Sequence, residues 1–255
     1  VKEGMTRQGT VQAAVYLGGA YEQATGLMRD GLRTSGVLPS EEPYTAMSLP
    51  AFGSVKPLRI APSVLARTGG NAIVDWVRLE LRDASAPFTL RYARAALLQR
   101  DGDIVEVDGR TPVAMGAASG NYRLAVKHRN HLGCMTGSAV LLGAVPAVVD
   151  LRQAAVGTWG TDARAVVGAQ RALWSGDVSR DGVVRYTGAS NDRDAVLNAL
   201  GGGDPTAEQS GYSAADISLD GVIRYTGLSN DRDPILQTVG GAIPTTTRTE
   251  QVPTP

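Results

Sequence analysis

Apolar and polar residues alternate along several stretches in the first half of the chain. In VDWVRLELRD, Val77, Leu79 and Leu81 alternate with Arg78, Glu80 and Arg82; in NYRLAVKHR, Tyr122, Leu124 and Val126 alternate with Arg123, Ala125 and Lys127. A period of two is that of a strand with one apolar face and one wet face. VQAAVYLGG, FTLRYARAALLQRD, GDIVEVDG and AVVDLR read as further strands, with Gly and Pro between them. The pattern predicts a mainly β fold, an antiparallel β-sandwich over residues 1–157. The Gly/Pro/Ser-rich tract from Gly36 to Pro62 reads as a long surface excursion. Its Tyr44, Met47, Leu49 and Phe52 are expected to pack over the sandwich or to meet another chain.

The period changes after Gly160. Thr161 and Asp162 can cap a helix in which Ala165, Val166, Ala169, Leu173 and Trp174 recur at near-helical spacing. Two more helices are expected at about Asn191 to Leu200 and Asn230 to Val239, each followed by a Gly-Gly stop. Both belong to a tandem repeat. DVSRDGVVRYTGASNDRDAVLNALGG starts at Asp177, and DISLDGVIRYTGLSNDRDPILQTVGG starts 39 residues later at Asp216, with 17 of 26 aligned positions identical. Two copies of one small unit are expected to pack together. The predicted layout is therefore a β domain (1–157), a small α module (158–243) and a tail (244–255), the last a linker or a strand exchanged onto a neighbour.

The acidic spacing inside each repeat points to a cation. Asp177, Ser179 and Asp181 stand at alternate positions before Gly182, as Asp216, Ser218 and Asp220 do before Gly221. This is the opening of an EF-hand-type loop, with oxygens at positions 1, 3 and 5, a turn glycine at 6 and a backbone carbonyl at 7, here that of Val183 or Val222. Val184 and Ile223 at position 8 fit the short β-contact that pairs two such loops. Arg185 and Arg224 at position 9 are donor-only and cannot be ligands. Position 12 is Gly188 or Gly227, so the closing carboxylate is expected beyond an inserted Tyr-Thr-Gly. The candidates are Asp192 or Asp194 in the first repeat and Asp231 or Asp233 in the second, the other acid of each pair capping the helix or pairing with an arginine. Ser190, Asn191, Ser229 and Asn230 are candidate caps, and Pro234 suits a first helical turn. The competing reading of D-x-S-x-D-G is a plain polar turn; its duplication favours about two bound calcium ions.

On these residues, the segment from about Thr161 to Gly241 resembles a dockerin-type calcium module, in the DG-V-x-YTG-x-x-NDRD variant found in secreted Bacteroidetes proteins. YEQATGLMRDGLR, NAIVDWVRLELRDAS, ALLQRDGDIVEVDG and GNYRLAVKHRNHLG resemble the domain that precedes this module in large secreted or surface, hemagglutinin-like proteins. The resemblance implies paired EF-hand-like loop-helix repeats, calcium and an extracellular or cell-surface address. It also implies a structural or adhesive role, with fibre or matrix assembly as one form, and self-association or another surface protein as the partner. The alternative is a carbohydrate- or cohesin-binding accessory module of a larger secreted protein. The inserted YTG and the displaced last acid depart from cellulosomal dockerins.

Charge and composition narrow the classes. With 25 acidic and 25 basic residues there is no cationic surplus for a broad nucleic-acid footprint. The longest apolar run, AVLLGAVPAVV, is broken by Gly143 and Pro146, so no membrane span is expected. Val1 in place of an initiator Met suggests a mature or trimmed product. The single Cys134 excludes an intrachain disulfide and reads as a small buried side chain.

Enzymatic machinery is not expected. His128 and His131, in HRNH, lack a completing metal shell and read as surface polar residues near a strand end. RDGDIVEVDG reads as hairpin turns rather than a further calcium loop. No Ser/His/Asp set, phosphate-binding glycine loop or catalytic carboxylate pair stands out. Tyr186 and Tyr225 read as packing within the repeats, and Trp76, Trp159 and Trp174 as core or interface anchors.

Overall fold

A computed structural model of the chain describes residues 9–49 and 58–253. The alternating segments do become strands. β1 (Thr10–Ala14) is followed by a small hairpin, β2 (Tyr21–Glu22) and β3 (Leu27–Met28), and by two helical turns, α1 (Gly31–Thr34) and α2 (Pro62–Leu65). The long strands β4 (Ile73–Asp83) and β5 (Leu90–Gln99) come next, then β6 (Asp103–Val105), β7 (Val113–Ala114) and β8 (Gly120–Lys127). β9 (Cys134–Met135), β10 (Val140–Leu142) and β11 (Ala147–Asp150) follow.

All these strands but β2 and β3, which pair with each other, form one nine-stranded sheet in the order β10-β8-β4-β5-β6-β1-β11, with β7 added to β1 and β9 to β8. Every pair is antiparallel except β1 with β11. The expected pair of facing sheets is therefore replaced by one sheet that curls on itself. Its two end strands, β10 and β11, are joined only by residues 143–146, and Leu142 lies so close to Gly9 that a Cβ there would meet it at 2.8 Å. Register shifts in the β4/β5 ladder, between Ile73 and Asp75 and between Leu81 and Arg82, supply local bends. Val11, Leu79, Leu97, Leu124, Val126 and Leu142 fill the core without solvent exposure.

The face of β4 expected to be wet is buried: Arg78, Glu80 and Arg82 are 4, 3 and 0 % exposed. Charge pairing makes this tolerable. Arg82 donates to Glu80 at 2.9 and 2.7 Å, and Arg78 lies 3.3 Å from the same carboxylate. The excursion after Gly36 covers this face, as the Tyr44 hydroxyl donates to the Trp76 carbonyl (3.0 Å) and the Trp76 indole donates to the Pro39 carbonyl (3.0 Å). Tyr44 is buried and Met47 packs against the core, whereas Leu49 is partly exposed; Phe52 lies outside the described residues. Asp101 and Asp108 accept backbone amides two and three residues on, the hairpin-turn chemistry expected of RDGDIVEVDG.

The helix expected after Thr161 is a hairpin instead, β12 (Ala165–Val167) paired with β13 (Gln170–Ala172). Gly168, at φ 59°, opens its two-residue turn, and the β-branched Val166 and Val167 favour extended backbone. Near-helical spacing of alanines was thus overridden by turn chemistry.

The repeats follow. The first supplies β14 (Val183–Arg185), α3 (Asp192–Ala199) and β15 (Glu208–Ser210); the second supplies β16 (Val222–Arg224), α4 (Arg232–Thr238) and β17 (Thr247–Thr249). The expected contact between the two loop strands does not form. β14 pairs with β17 and β16 with β15, so each loop strand takes the strand that follows the other repeat's helix. The 39-residue relation therefore runs past the Gly-Gly stops: Thr187 donates to the Pro244 carbonyl (3.0 Å) and Thr226 to the Pro205 carbonyl (2.9 Å). Val184, Val196, Ile223 and Ile235 make the shared core, and Tyr186 and Tyr225 pack against it.

The described part of the tail packs on its own chain. Glu250 accepts from Lys127 and from the Gly133 amide, both at 2.8 Å, and Val252 packs with Ala125 and Met135. Arg82 donates to the Pro253 carbonyl at 2.8 Å. Among the described residues no helix is long and apolar enough to cross a membrane.

Sheet and repeats meet closely at Gly19. A Cβ there would stand 2.0 Å from the Ile217 carbonyl oxygen, a backbone atom that cannot turn aside. Gly19→Ala is expected to destabilise by about 1–3 kcal/mol, as overpacking does. Thermal melting checks this, with a fall of about 2–4 °C for each kcal/mol; an unchanged melt would mean the two parts are not held together here.

Candidate metal loops and the buried joint behind them

The two acidic loops are built alike. In the first, Asp177 and Asp192 are buried. Asp177 Oδ2 accepts the Gly182 amide (3.2 Å), and Gly182 sits at φ 79°, a turn that calls for glycine. Asp192 accepts the amides of Ser179 (3.0 Å) and Arg185 (2.8 Å), clasping both ends of the loop. In the second, Asp216 Oδ2 accepts the Gly221 amide (2.9 Å) and Oδ1 accepts from the Asp220 amide and the Ser218 hydroxyl (3.2 and 3.3 Å). Asp231 accepts three amides, those of Ile217, Ser218 and Arg224, at 2.8 to 2.9 Å.

This geometry separates the acids that sequence left as alternatives. Asp192 and Asp231 turn into the loops. Asp194 and Asp233 cap the helices: Asn191 and Asn230 accept their amides (2.8 and 2.9 Å) and donate back to their carboxylates (2.8 and 2.9 Å). The reciprocal exchange satisfies donors that a helix start leaves orphaned. The position-5 acids are engaged elsewhere, since Asp181 and Asp220 each accept the amide two residues on (2.8 Å) and pair with Arg185 or Arg224 (2.6 Å). Ser179 is exposed and Ser218 is buried, while Val183 and Val222 lie in β14 and β16. Among the described residues no three His, Cys, Asp or Glu side chains converge as a metal cage.

Burial makes these carboxyls hard to ionise. It pushes Asp177 up to about 7, with the charges of Asp192 and Glu250 adding to the effect. Asp231 is likewise raised to about 7 by burial, against the opposing pull of its amide donors. Asp216 is raised to about 6 by burial although Arg129 acts against it, and Asp192 is raised for the same reason as Asp177. Asp177 Oδ1 is buried with no hydrogen-bond partner. That is the feature a bound cation would relieve.

Behind the second loop lies a polar joint that the sequence reading missed. His128 and His131, expected at the surface, are 7 and 1 % exposed, and the side chains of Asp75, His128 and Arg129 are wholly buried. His131 Nε2 accepts the Gly19 amide (3.1 Å), so its proton resides on Nδ1. His131 Nδ1 lies 3.0 Å from His128 Nδ1 and 2.8 Å from Asn130 Oδ1, and His128 Nε2 lies 3.0 Å from Asp75 Oδ2. A consistent assignment has His131 Nδ1–H donating to His128 Nδ1 and His128 Nε2–H donating to Asp75, with both rings neutral. Asp75 also accepts from Arg129 (3.1 Å), the Trp76 amide (2.7 Å) and the Tyr212 hydroxyl (2.8 Å).

The same motif grips the repeats. Arg129 donates to the Ser213 carbonyl and stacks 4.4 Å from the Tyr212 ring centroid. Asn130 donates to the carbonyls of Ala214 (2.9 Å) and Asp216 (2.7 Å), fixing the first residue of the second loop. The available signals were an aspartate inside the apolar run AIVDWV and four polar residues in a row in HRNH. The Asp–His–His row has no nucleophile at its end, since His131 Nε2 is taken by a backbone amide. Cys134 is buried, as expected, and burial pushes its thiol up to about 12.

No family model matches this chain, and no curated protein or solved structure matches it either.

Proposed function

We propose that this chain is a calcium-stapled structural part of a secreted or cell-surface protein, acting in adhesion or assembly through self-association or another surface protein. The observation that carries the calcium part is the duplicated pair of buried carboxyls, Asp177 with Asp192 and Asp216 with Asp231, one oxygen of which lacks any partner. The exterior address and the adhesive role rest on the resemblance of the YTG-x-x-NDRD repeats. A hard cation bound by oxygens suits such acids better than a soft or redox metal, because no cysteine or histidine stands in either loop.

Asp177, Asp192, the Ser179 hydroxyl and the Val183 carbonyl would hold the first ion; Asp216, Asp231, Ser218 and the Val222 carbonyl would hold the second. Calcium supplies positive charge where burial otherwise forces the carboxyls to take protons. Asp181 and Asp220 join the shell only on release from Arg185 and Arg224, and Asp194 and Asp233 stay on the helix caps. Because Asp192 and Asp231 open the helices while Asp177 and Asp216 open the loops, each ion ties a loop to its helix. In a module with a small apolar core such a staple matters.

Calcium content and thermal melting with and without chelator test the reading. About two ions are expected, and free calcium about 100-fold above the dissociation constant would add about 2.7 kcal/mol per site. Asp192→Asn and Asp231→Asn should each remove one ion. The pH dependence has a definite sign. The folded values of Asp177, Asp216 and Asp231, about 7, 6 and 7, lie above the unfolded value, which is about 3.9. In the chelated chain their contribution is full below about pH 4 and is lost as pH rises towards 7. The melting gap between calcium-loaded and chelated protein should therefore widen as pH rises through that window. A chain that holds no calcium and melts alike with chelator would leave the acids as turn formers and remove this function.

A further inference from the structure

Where the β2–β3 hairpin, the β12–β13 hairpin and α4 come together they leave a cleft of about 330 Å³, lined by Tyr21, Arg29, Val166, Trp174, Ser175 and Gln237 among others. Both aromatic rings are braced from one side. Tyr21 stacks on Tyr16 with centroids 4.1 Å apart and planes at 25°, and the Arg248 guanidinium lies 3.6 Å from the Trp174 ring centroid. The Trp174 indole N–H is already committed to the Asp162 carbonyl (2.8 Å), so this ring offers the cleft a surface rather than a donor.

The polar groups are mostly neutral. Arg29 is the sole charged residue lining the cleft, and it already donates to the carbonyls of Gly19 (2.6 Å) and Ser218 (3.2 Å) and lies 3.6 Å from Glu22. No carboxylate lines the cleft, which disfavours a cation, and one pre-engaged guanidinium is a poor cradle for phosphate. The hydroxyls of Tyr21 and Ser175 and the Gln237 amide make no hydrogen bond to the rest of the described chain. Fixed ring surfaces beside unpaired neutral donors and acceptors match a ligand with one apolar face and a rim of hydroxyls.

We propose that this cleft binds a neutral saccharide. It deepens the adhesive reading by naming a ligand class, but it does not depend on calcium, because none of the four buried acids lines it. Saturation-transfer NMR on the intact, calcium-supplemented chain would use glucose, galactose, mannose, N-acetylglucosamine and lactose, with glucose 6-phosphate and sialic acid as charged comparisons. At least one neutral sugar is expected to receive saturation at about 10 mM, a concentration that detects millimolar binding. Tyr21→Ala and Gln237→Ala should each weaken that binding by about tenfold, a loss of about 1.4 kcal/mol. Gln237 is exposed, so its variant should melt like the parent. Transfer to no neutral sugar, transfer to the charged sugars alone, or binding that survives both substitutions would overturn the proposal while leaving the calcium result untouched.

Discussion

Arg129→Ala is expected to destabilise the chain by about 3–5 kcal/mol, the scale of breaking a buried ion pair from one side. The side chain is wholly buried and holds three things at once: Asp75 in the sheet, the Ser213 carbonyl in the second repeat and the face of Tyr212. Truncation would strand the Asp75 carboxylate. Burial pushes that carboxyl up, but Arg129 and the His128 proton outweigh it and hold it below its ordinary value. Without the guanidinium the balance reverses, and the joint must open or take a proton. The same reasoning fixes a control: Asp75→Asn combined with Arg129→Ala should lose less than the sum of the two single variants, because no charge is then left alone. Urea midpoints at unchanged slope measure this. Strictly additive losses would show that the two side chains do not act as a pair.

A second large effect is expected on acidification. Burial lowers the affinity of His128 for a proton, with Asp75 opposing; His131 is lowered much further by burial and by the neighbouring His128 and Arg129. Both take up a proton less readily when folded than when unfolded, where they titrate near pH 6.5. The unfolded chain therefore takes up protons that the folded one refuses. Stability contributed by the neutral pair is full above about pH 6.5 and falls below it, by at most about 1.4 kcal/mol per pH unit for each histidine and further for His131, whose proton affinity is lowered more. A proton on His131 Nε2 would also face the Gly19 amide, 3.1 Å away, with two donors and no acceptor. The groups facing the pair are Asp75 from β4, Arg129 and Asn130 from the motif itself and Tyr212 from the repeats, with Tyr44 adding to the field at Asp75. In chelated protein the loop acids slope the other way, so the diagnostic is the difference between parent and a His128→Gln, His131→Gln variant. That difference should shrink as pH falls from 7 to 5; a constant difference would mean the histidines do not titrate between the two states.

Much of the repeat was legible because its chemistry is local. Asn191 and Asn230 cap helices a few residues away, Gly182 and Gly221 turn loops whose acids are five residues behind, and Pro234 sits in a first turn, so each reading needed only a short window. Choosing between Asp192 and Asp194 needed more, since both open the same helix and only the folded loop shows which one reaches back to residues 179 and 185. The hairpin at residues 165–172 went astray for the opposite reason: alanine spacing suggests a helix, but Gly168 at positive φ beside two valines decides for a turn between strands.

The amino-acid sequence by itself determined the mainly β first part, the duplication at 39 residues, the positions of α3 and α4, and the acids each loop could offer. These follow from periodicity, capping and turn residues, which act over a few residues of chain. Tertiary structure alone decided that the strands join in one curled sheet, that the charged face of β4 is buried under the excursion and, at Arg82, the tail, and that the tail pairs with β14. It alone brought Asp75 to His128, 53 residues away, and Tyr212 to Asp75, 137 residues away. Hydrophobicity marks such polar residues for the surface; they are buried here because partners distant in sequence supply the hydrogen bonds and countercharges that water would otherwise provide.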